Sequence, residues 1–314
     1  MDSSQNRNVK LSQLRNLLAV ANAGTVRQAS RNLSLSQSAI TKSIKALEEE
    51  LGSELFHRES HGVTLTASGR ALIRHAKLIE AQLNQAQNEV AYIEGAAMGE
   101  IRIVASPTVA TNLVPSAIVK LKAQRPLVRV HIEEGVYPDV LPRIQNGELD
   151  FALCLIPDDF TSTDLIVDIL IEDSLTPAVR IDHPLARKRN LELGDLLEHE
   201  WIVFGRRGSA RDVHDRTFRR NGYEPPPSMI DCSSFICAVT LASQSDLIVL
   251  VPAQIFSKRK QHWPIVPLRL STPLAPWTIG TITRQAEYLS PICREFSRIV
   301  KQTAKSISPK SKLT

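Results

Sequence analysis

Long apolar runs are missing from the 314-residue sequence, and no stretch approaches the ~20 apolar residues that a membrane span needs. The residues from Asp2 to Asn6 are polar and lack the apolar segment of a secretory signal. We therefore expect a cytoplasmic protein, and its length suggests two or three domains. The sequence also has no phosphate-binding loop, nucleophile elbow or zinc-protease motif. Nothing in it favours an enzyme, a cofactor or a bound metal.

Cysteine is scarce and has no C-x-x-C spacing. The four cysteines are Cys154, Cys232, Cys237 and Cys293. Most of them stand among apolar residues, so we expect buried, reduced thiols. His57 and His61 are four residues apart, but they lie on a predicted hairpin without cysteine partners. They are therefore interpreted as hairpin residues and not as zinc ligands.

Acidic residues are absent between Ser3 and Leu47, and they return only with Glu48. The basic residues in that interval are Arg7, Lys10, Arg15, Arg27, Arg31, Lys42 and Lys45. The formal charge of the whole chain is only +5, so this basic field is local. Such a run can be an ordinary solvated face, but next to a helix that enters a DNA groove it would bind phosphates.

Residues 36–52 are predicted to form one helix with two unlike faces. Ser36 can cap its first turn, and Gly52 can supply the left-handed residue just past its end. The apolar face consists of Ile40, Ile44, Leu47 and Leu51. The other face begins with side chains suited to base edges and phosphates, namely Gln37, Ser38, Thr41, Lys42 and Lys45. Taken alone, the helix could equally be an ordinary surface helix, so its neighbours decide.

Two helices are predicted upstream. An apolar stripe from Leu11 to Ala21 indicates the first, and Thr25 with Gln28 makes a capping box that opens the second. The turn at residues 33–36 then leads directly into the helix described above. Two helices joined by so short a turn, the second polar on its outer N-terminal face, form a helix-turn-helix.

A hairpin follows the helix-turn-helix, because two short β-prone runs flank a turn that contains Gly62. Four motifs stand in this region: Ser36-Gln37-Ser38-Ala39-Ile40-Thr41, the stretch from Leu47-Glu48 to Leu51-Gly52, Leu55-Phe56-x-Arg58 and Leu65-Thr66-x-x-Gly69. Together they resemble the DNA-binding domain of LysR-type transcriptional regulators over about the first 70 residues. One departure is His61, where the family often has Arg. The expected DNA-binding residues are Arg31, Ser36, Gln37, Ser38, Thr41, Lys42, Lys45, Arg58 and His61.

A long helix is predicted for residues 67–94. Its apolar residues alternate in steps of four and three, and we call them the 72–93 seam: Leu72, Ala76, Ile79, Leu83, Ala86, Val90 and Ile93. This spacing is typical of a coiled coil. The alternative is a helix packed on its own domain, but its length and its position favour a dimer linker. The resemblance likewise implies pairing through a linker helix, and a tetramer through further contacts.

Beyond a glycine-containing hinge at residues 95–100, predicted strands alternate with helices, which implies a parallel α/β sheet. Separate strands are expected near 165–170 and 174–179, and strands near 265 and 278–283 are expected to return the chain to the first lobe. The predicted divisions are 1–66 for the DNA-binding domain, 67–94 for the linker, 101–305 for two lobes (lobe I about 101–160 and 265–305, lobe II about 161–264) and 306–314 for a loose tail.

The C-terminal part resembles the effector domain of the same family through Gly147-x-Leu149-Asp150-Phe151-Ala152-Leu153 and His183-Pro184-Leu185. One departure is Gln244-Ser245-Asp246, where many members have a glycine-rich run. The expected fold class is α/β, with an all-α-dominated N-terminal winged helix-turn-helix domain. Its C-terminal bilobal α/β domain resembles periplasmic binding proteins.

Open α/β sheets bind ligands beyond the carboxyl ends of their strands, and several polar or aromatic stretches follow predicted strands in that way. The resulting effector-binding candidates are Ser106, Thr108, Val136, Tyr137, Phe204, Ser233 and Ser234, with Arg206 and Arg207 nearby. An organic anion with an apolar group fits this set. In the alternative interpretation, Ser106 and Thr108 only cap a helix.

The leading hypothesis is a LysR-type regulator whose binding or bending of double-stranded DNA responds to a small-molecule effector. Expected partners are DNA, the effector, further copies of the chain in a dimer or tetramer, and RNA polymerase. One alternative is a solute-binding protein or enzyme that uses only the bilobal fold, which predicts an export signal or a catalytic constellation. Another is a constitutive regulator with an empty cleft.

Overall fold

The computed structural model describes residues 8–59, 62–94, 99–204, 210–232, 234–256, 263–272, 274 and 276–307, with the backbone alone at positions 58, 92, 204, 228 and 229. The chain divides into two compact units. One consists of Met1–Gln87 with Asn146–Glu148, and the other of Asn88–Gln145 with Leu149–Thr314. Most of the predicted hinge, residues 95–98, lies outside the described residues. Across the described part of the chain, no helix is both long enough and apolar enough to cross a membrane.

Three helices and a hairpin build the N-terminal unit: α1 (Leu11–Ala23), α2 (Val26–Leu33), α3 (Gln37–Leu51), β1 (Phe56–Glu59) and β2 (Gly62–Leu65). The predicted ends of α3 are confirmed. Ser36 Oγ accepts a hydrogen bond from the Ala39 N–H at 3.1 Å, and Gly52 is left-handed with φ 65°. Thr25 caps α2 as predicted, but the Gln28 side chain donates to Asn32 and does not close the capping box.

The hairpin is held against the helices at two points. The Leu55 N–H donates to Glu48 Oε1 at 2.8 Å, and the Val63 N–H donates to the Gly24 carbonyl at 2.9 Å. A Cβ at Gly62 would lie 2.6 Å from that same carbonyl oxygen, so the hairpin approaches this closely only with glycine there. The hairpin is therefore positioned by a bond to the Glu48 side chain of α3 and by a backbone bond to the turn after α1.

Helix α4 (Ala67–Ile93) contains the whole 72–93 seam. The first residues of the seam pack within the N-terminal unit: Ala76 is buried in the core of that unit, and Leu72 packs against this core. Later members face solvent, with Ile79 46%, Val90 57% and Ile93 77% exposed. The interpretation of a helix packed on its own domain thus holds for about the first three turns only. The remaining seam is an apolar stripe that favours a partner helix.

Lobe I of the second unit is built on three parallel strands, β3 (Glu100–Ala105), β4 (Arg129–Glu134) and β5 (Phe151–Ile156), in the order β4-β3-β5. Its helices are α5 (Pro107–Ala110), α6 (Leu113–Gln124), α7 (Leu141–Gln145) and α10 (Pro291–Ile307). Helix α10 continues through Ile307, so the predicted tail from 306 begins too early. Its apolar face explains this, because Ala304 is still buried against the lobe I core.

One long strand, β6 (Leu165–Arg180), replaces the two strands predicted near 165–170 and 174–179. Its first half pairs antiparallel with β11 (Pro276–Arg284), which also pairs with β5. Its second half pairs with strands of lobe II. The two strands β6 and β11 make the sheet mixed where a purely parallel one was predicted.

Lobe II contains β7 (Trp201–Phe204), β8 (Ser228–Cys232), β9 (Ile248–Pro252), β10 (Ile265–Pro267), α8 (Ala210–Arg220) and α9 (Phe235–Ser243). Strand β7 lies between β8 and β9 and is parallel to both. Strand β10 pairs with residues 178–180 of β6, so it lies in lobe II and not, as predicted, in lobe I. The chain therefore returns to lobe I only at β11.

Candidate DNA interface and effector cavity

Helix α3 shows the two faces that the sequence predicts. Ile40, Ile44 and Leu47 are buried in the core of the N-terminal unit. The opposite side exposes Gln37, Ser38, Lys42 and Lys45, while Thr41 is half-buried. The Asn16 side-chain amide donates to Ser43 Oγ at 2.8 Å and so fixes α3 against α1. The exposed side chains are thereby presented on a rigid support.

A groove borders this face between α3 and the hairpin. It is lined by Thr25, Thr41, Lys45 and His57, among others. Arg31 is exposed in the last turn of α2. Among the described residues, no acidic side chain forms an ion pair with Arg31, Lys42 or Lys45. These cations are therefore available to phosphates.

Three other predicted DNA-binding residues need separate comment. Ser36 Oγ is engaged as the cap of α3 and also lies 3.0 Å from Ser38 Oγ, so its first role is structural. His61 lies outside the described residues, as does the side chain of Arg58.

The second unit holds a cavity of about 250 Å³ between lobes I and II. It brings together five of the predicted effector-binding residues, which come from both lobes: Ser106, Thr108, Val136, Tyr137 and Ser234. Ser233, Arg206 and Arg207 lie outside the described residues, as does the side chain of Phe204. Residues that follow different strands and are far apart in sequence thus lie together in the structure, as the rule that ligands bind beyond the carboxyl ends of strands predicts.

Ser106 is the polar group of this cavity that most needs a partner. Its backbone N–H donates to the Leu153 carbonyl at 2.8 Å, but its Oγ is buried and has no hydrogen-bond partner among the described residues. Ser106 makes no side-chain cap bond to α5. An unpaired buried hydroxyl is costly, so its retention beside an open cavity favours a partner that arrives from outside.

Gly135 sets the course of the chain beside Ser106, because its N–H donates to the Ala105 carbonyl at 3.1 Å. A Cβ at Gly135 would lie 2.7 Å from Val104 Cγ1, so any larger residue would push this segment away from β3. The following residues, Val136 and Tyr137, line the cavity.

Other cavity residues were not predicted from the sequence: Glu134, Cys154, Leu155, Leu175, Phe235, Leu250 and Trp277, together with Ala210 and Pro252. Leu175 and Trp277 lie on the crossing strands β6 and β11, to which the carboxyl-end rule does not apply. Burial raises the pKa of Cys154 to about 12, so this thiol stays protonated in the wall. The described lining is mainly apolar, with hydroxyl groups, one acidic residue, Glu134, and no basic residue.

Asp173 lies opposite Trp277 where the crossing strands pair. Burial raises its pKa to about 6, although the Ser174 N–H donates to it at 2.8 Å. This carboxyl is therefore partly neutral near pH 6.

Comparison with known proteins assigns both units. Residues 11–70 match a family model described as "Bacterial regulatory helix-turn-helix protein, lysR family", and residues 94–305 match one described as "LysR substrate binding domain". Among curated proteins, the chain is 28% identical to the uncharacterized HTH-type transcriptional regulator YdcI of Escherichia coli K12, over 91% of this chain and 93% of that one. It is 26% identical to the transcriptional dual regulator GltC of Bacillus subtilis 168, over 94% and 97%.

Solved structures agree on the fold. The crystal structure of CbnR, a LysR family transcriptional regulator, matches with a TM-score of 0.70 at 22% identity, covering 94% of this chain and 99% of CbnR. Full-length CbnR complexed with its target DNA matches with a TM-score of 0.69, also at 22% identity and with the same coverage. With both domain models matched in order along the chain, the protein belongs to the LysR family of transcriptional regulators, with a DNA-binding helix-turn-helix and a substrate-binding domain.

Proposed function

We propose that this regulator places α3 in the major groove of a two-fold related DNA site and that a small molecule between lobes I and II changes that binding. The cavity is the observation that supports control by an effector, because both lobes line it and the buried Ser106 Oγ has no described partner. The proposed DNA binding is supported by the exposed polar face of α3. The fold neighbour CbnR has been solved with its target DNA, which supports the same use here.

Gln37, Ser38 and Thr41 are proposed to read base edges, and Arg31, Lys42 and Lys45 to contact phosphates. The amide and hydroxyl groups offer donors and acceptors that match base edges in the major groove. The lysine and arginine side chains supply charge without sequence information. Arg58 and His61 remain proposed contacts of the hairpin. The protein is proposed to act in the cytoplasm as a dimer or tetramer.

Replacing Gln37 by alanine is expected to relax base preference at one position of each half-site, since a good base contact is worth about 1–3 kcal/mol of discrimination. Thr41→Ala is expected to act similarly at a neighbouring position. Lys42→Ala is expected instead to weaken all duplexes alike and to lower the salt slope by about one. Fluorescence titrations on a selected duplex and its single-base variants, at several salt concentrations, measure both effects.

Lys305→Ala is the matched control, because it removes the same charge from an exposed position on α10. It should leave affinity, base preference and salt slope near those of the wild type. If Gln37→Ala and Thr41→Ala kept both wild-type affinity and wild-type base preference, the assignment of α3 would be wrong.

The effector is proposed to be a small, largely apolar molecule with one polar group, for which an organic anion is our candidate. The apolar wall from Val136, Tyr137, Phe235 and Trp277 would cover its body. The hydroxyls of Ser106 and Thr108 would bond its polar group, and so would the Thr108 N–H, which lies in the first turn of α5 and has no helical partner to compete. A few polar groups in an apolar pocket give orientation and specificity.

Ser106→Ala separates a ligand-binding role from a capping role. Loss of a cap costs about 1 kcal/mol, whereas removal of an unpaired buried hydroxyl should leave stability equal or slightly higher. We therefore expect Ser106→Ala to unfold at or above the wild-type denaturant midpoint. Ser290→Ala is the matched control, because Ser290 Oγ does accept the Cys293 N–H at 3.3 Å in the same unit, and it should be less stable.

Ligand binding is tested with Ser106→Ala and Thr108→Val. A thermal-shift screen of small carboxylates identifies a ligand, and calorimetry then measures its affinity. Ser106→Ala and Thr108→Val should weaken that affinity at least several-fold while DNA affinity without ligand stays near wild type. Wild-type ligand affinity in both variants would place the site elsewhere.

A further inference from the structure

Two thiols lie side by side at the start of α9, contrary to the expected buried set. Cys154 and Cys293 are buried, but Cys232 is only half-buried and Cys237 is exposed. Cys232 ends β8 and Cys237 is the third residue of α9. The Cys237 thiol lies close enough to Cys232 to raise the pKa of the Cys232 thiol, so the two side chains are neighbours. A thiol that can be reached from solvent thus has a second thiol within reach.

Ser234, the cap of α9, holds both cysteines. Cys232 Sγ donates to the Ser234 carbonyl oxygen at 3.2 Å, and the Cys237 N–H donates to Ser234 Oγ at 3.4 Å. Ser234 and the next residue, Phe235, also line the cavity between the lobes. The thiol pair therefore sits on the turn that forms part of the cavity wall.

The two thiols differ in their surroundings. Partial burial raises the pKa of Cys232, and the neighbouring Cys237 thiol raises it further. Hydrogen bonds to the backbone of Ser234 and Ala238 lower this pKa, but they do not cancel the increase. Cys232 therefore stays protonated at neutral pH and is a poor first nucleophile. Cys237 is the thiol that a reagent in solution meets first.

We propose that Cys232 and Cys237 form a reversible intramolecular disulfide that clamps the first turn of α9 at the cavity wall. The oxidant is a small disulfide such as oxidised glutathione. Cys237 attacks one of its sulfurs, the S–S bond breaks and one glutathione leaves as a thiol. Cys232 then attacks the Cys237 sulfur and releases the second glutathione, so two protein thiols are oxidised and one small disulfide is reduced.

Oxidation would affect the cavity through Ser234. A bond between the end of β8 and the third residue of α9 fixes the turn that carries Ser234 and Phe235. Because Cys237 is exposed, reducing thiols in solution can reach such a disulfide, which suits a reversible modification. Formation of the disulfide does not depend on any effector, so it can be tested apart from the proposed function.

The test uses the full-length protein in glutathione redox buffers, followed by alkylation and cleavage after Lys and Arg. Residues 221–258 contain no internal Lys or Arg, so one peptide carries both cysteines, while Cys154 and Cys293 fall in other peptides. In the wild type this peptide should lose both alkylation sites and become lighter by two hydrogen atoms. Cys232→Ser should stop as a glutathione adduct on Cys237, and Cys237→Ser should keep its thiol. Hydrogen exchange at the first turn of α9 should slow on oxidation of the wild type only.

Any of four results would overturn the proposal. The wild-type peptide could keep two alkylatable thiols under conditions in which Cys232→Ser forms its adduct. It could stop at the adduct, or join a second chain. A disulfide that forms without any change in hydrogen exchange would overturn the clamp.

Discussion

Replacing Arg284 by methionine is expected to lower the free energy of unfolding of the effector domain by about 3–5 kcal/mol, the usual cost of leaving a buried ionic partner alone. Arg284 ends β11 and is 6% exposed. Its Nη1 donates to the carbonyls of Ile144 and Leu149 at 3.0 and 3.2 Å, and its Nη2 lies 3.7 Å from Asp150 Oδ1. Methionine fills the space but satisfies none of these groups. Urea unfolding followed by tryptophan fluorescence measures the loss, since all three tryptophans lie in this unit.

Arg102→Met is the matched control, because Arg102 lies on the same lobe but is paired at the surface with Glu100 at 2.8 Å. Such a pair contributes about 1 kcal/mol or less. Burial raises the pKa of Asp150, so removing its charge should help once Arg284 is gone. Asp150→Asn added to Arg284→Met should therefore recover part of the loss. Equal stability of the Arg284 and Arg102 variants would show that this buried contact is not what holds β11.

Introducing aspartate at Leu83 is expected to weaken dimer formation by about 100-fold or more, equivalent to about 3 kcal/mol. Leu83 lies midway along the seam of α4, where a two-fold related partner would bring a second copy of the same charge against the first. Neither carboxylate would have a cation to pair with inside the seam. Sedimentation equilibrium over a range of concentrations measures the change.

Asn84→Asp introduces the same charge one residue later, at an exposed position off the seam, and should leave the assembly intact. A fall from a tetramer to a dimer in Leu83→Asp would locate the remaining contacts in the effector domains. Identical sedimentation of Leu83→Asp, Asn84→Asp and the wild type would contradict the coiled coil.

The DNA-binding unit was the easiest part to predict because its signals are local. Ser36 and Gly52 mark the ends of α3 through their own backbone and side-chain chemistry, and the apolar spacing gives its buried face. The reciprocal half of the capping box at Thr25 was wrong, because Gln28 has a competing partner four residues later in Asn32. Sequence spacing shows which bonds are possible, and local competition decides which one forms.

The effector domain was harder because its errors concern pairing between distant strands. Strand β6 looked like two strands because polar residues such as Glu172 and Asp173 interrupt its apolar run. In the structure the strand continues past them, and only its pairing partner changes, from β11 to strands of lobe II. The three-residue strand β10 was placed in the wrong lobe, because so short a run does not reveal its partner.

The cavity residues also divide into those that a local pattern predicted and those that depend on contacts between distant segments. Ser106, Thr108, Val136, Tyr137 and Ser234 were predicted because each follows a strand, and parallel strands end at one edge. Trp277 and Leu175 belong to antiparallel crossing strands, and Phe235 lies inside a helix. Their place in the wall depends on how the lobes are joined, which no local pattern reports.

A molecule held between the lobes is proposed to control DNA binding by α3. The most direct test is to select duplexes in vitro with the wild type and to titrate the best one with and without a ligand found by thermal shift. We predict that the ligand changes the affinity or the bend of the duplex in the wild type. The effect should be smaller in Ser106→Ala at the same sub-saturating ligand concentration, while both proteins bind the free duplex equally. A ligand that binds the cavity of the wild type and leaves affinity and bending unchanged would contradict the claim.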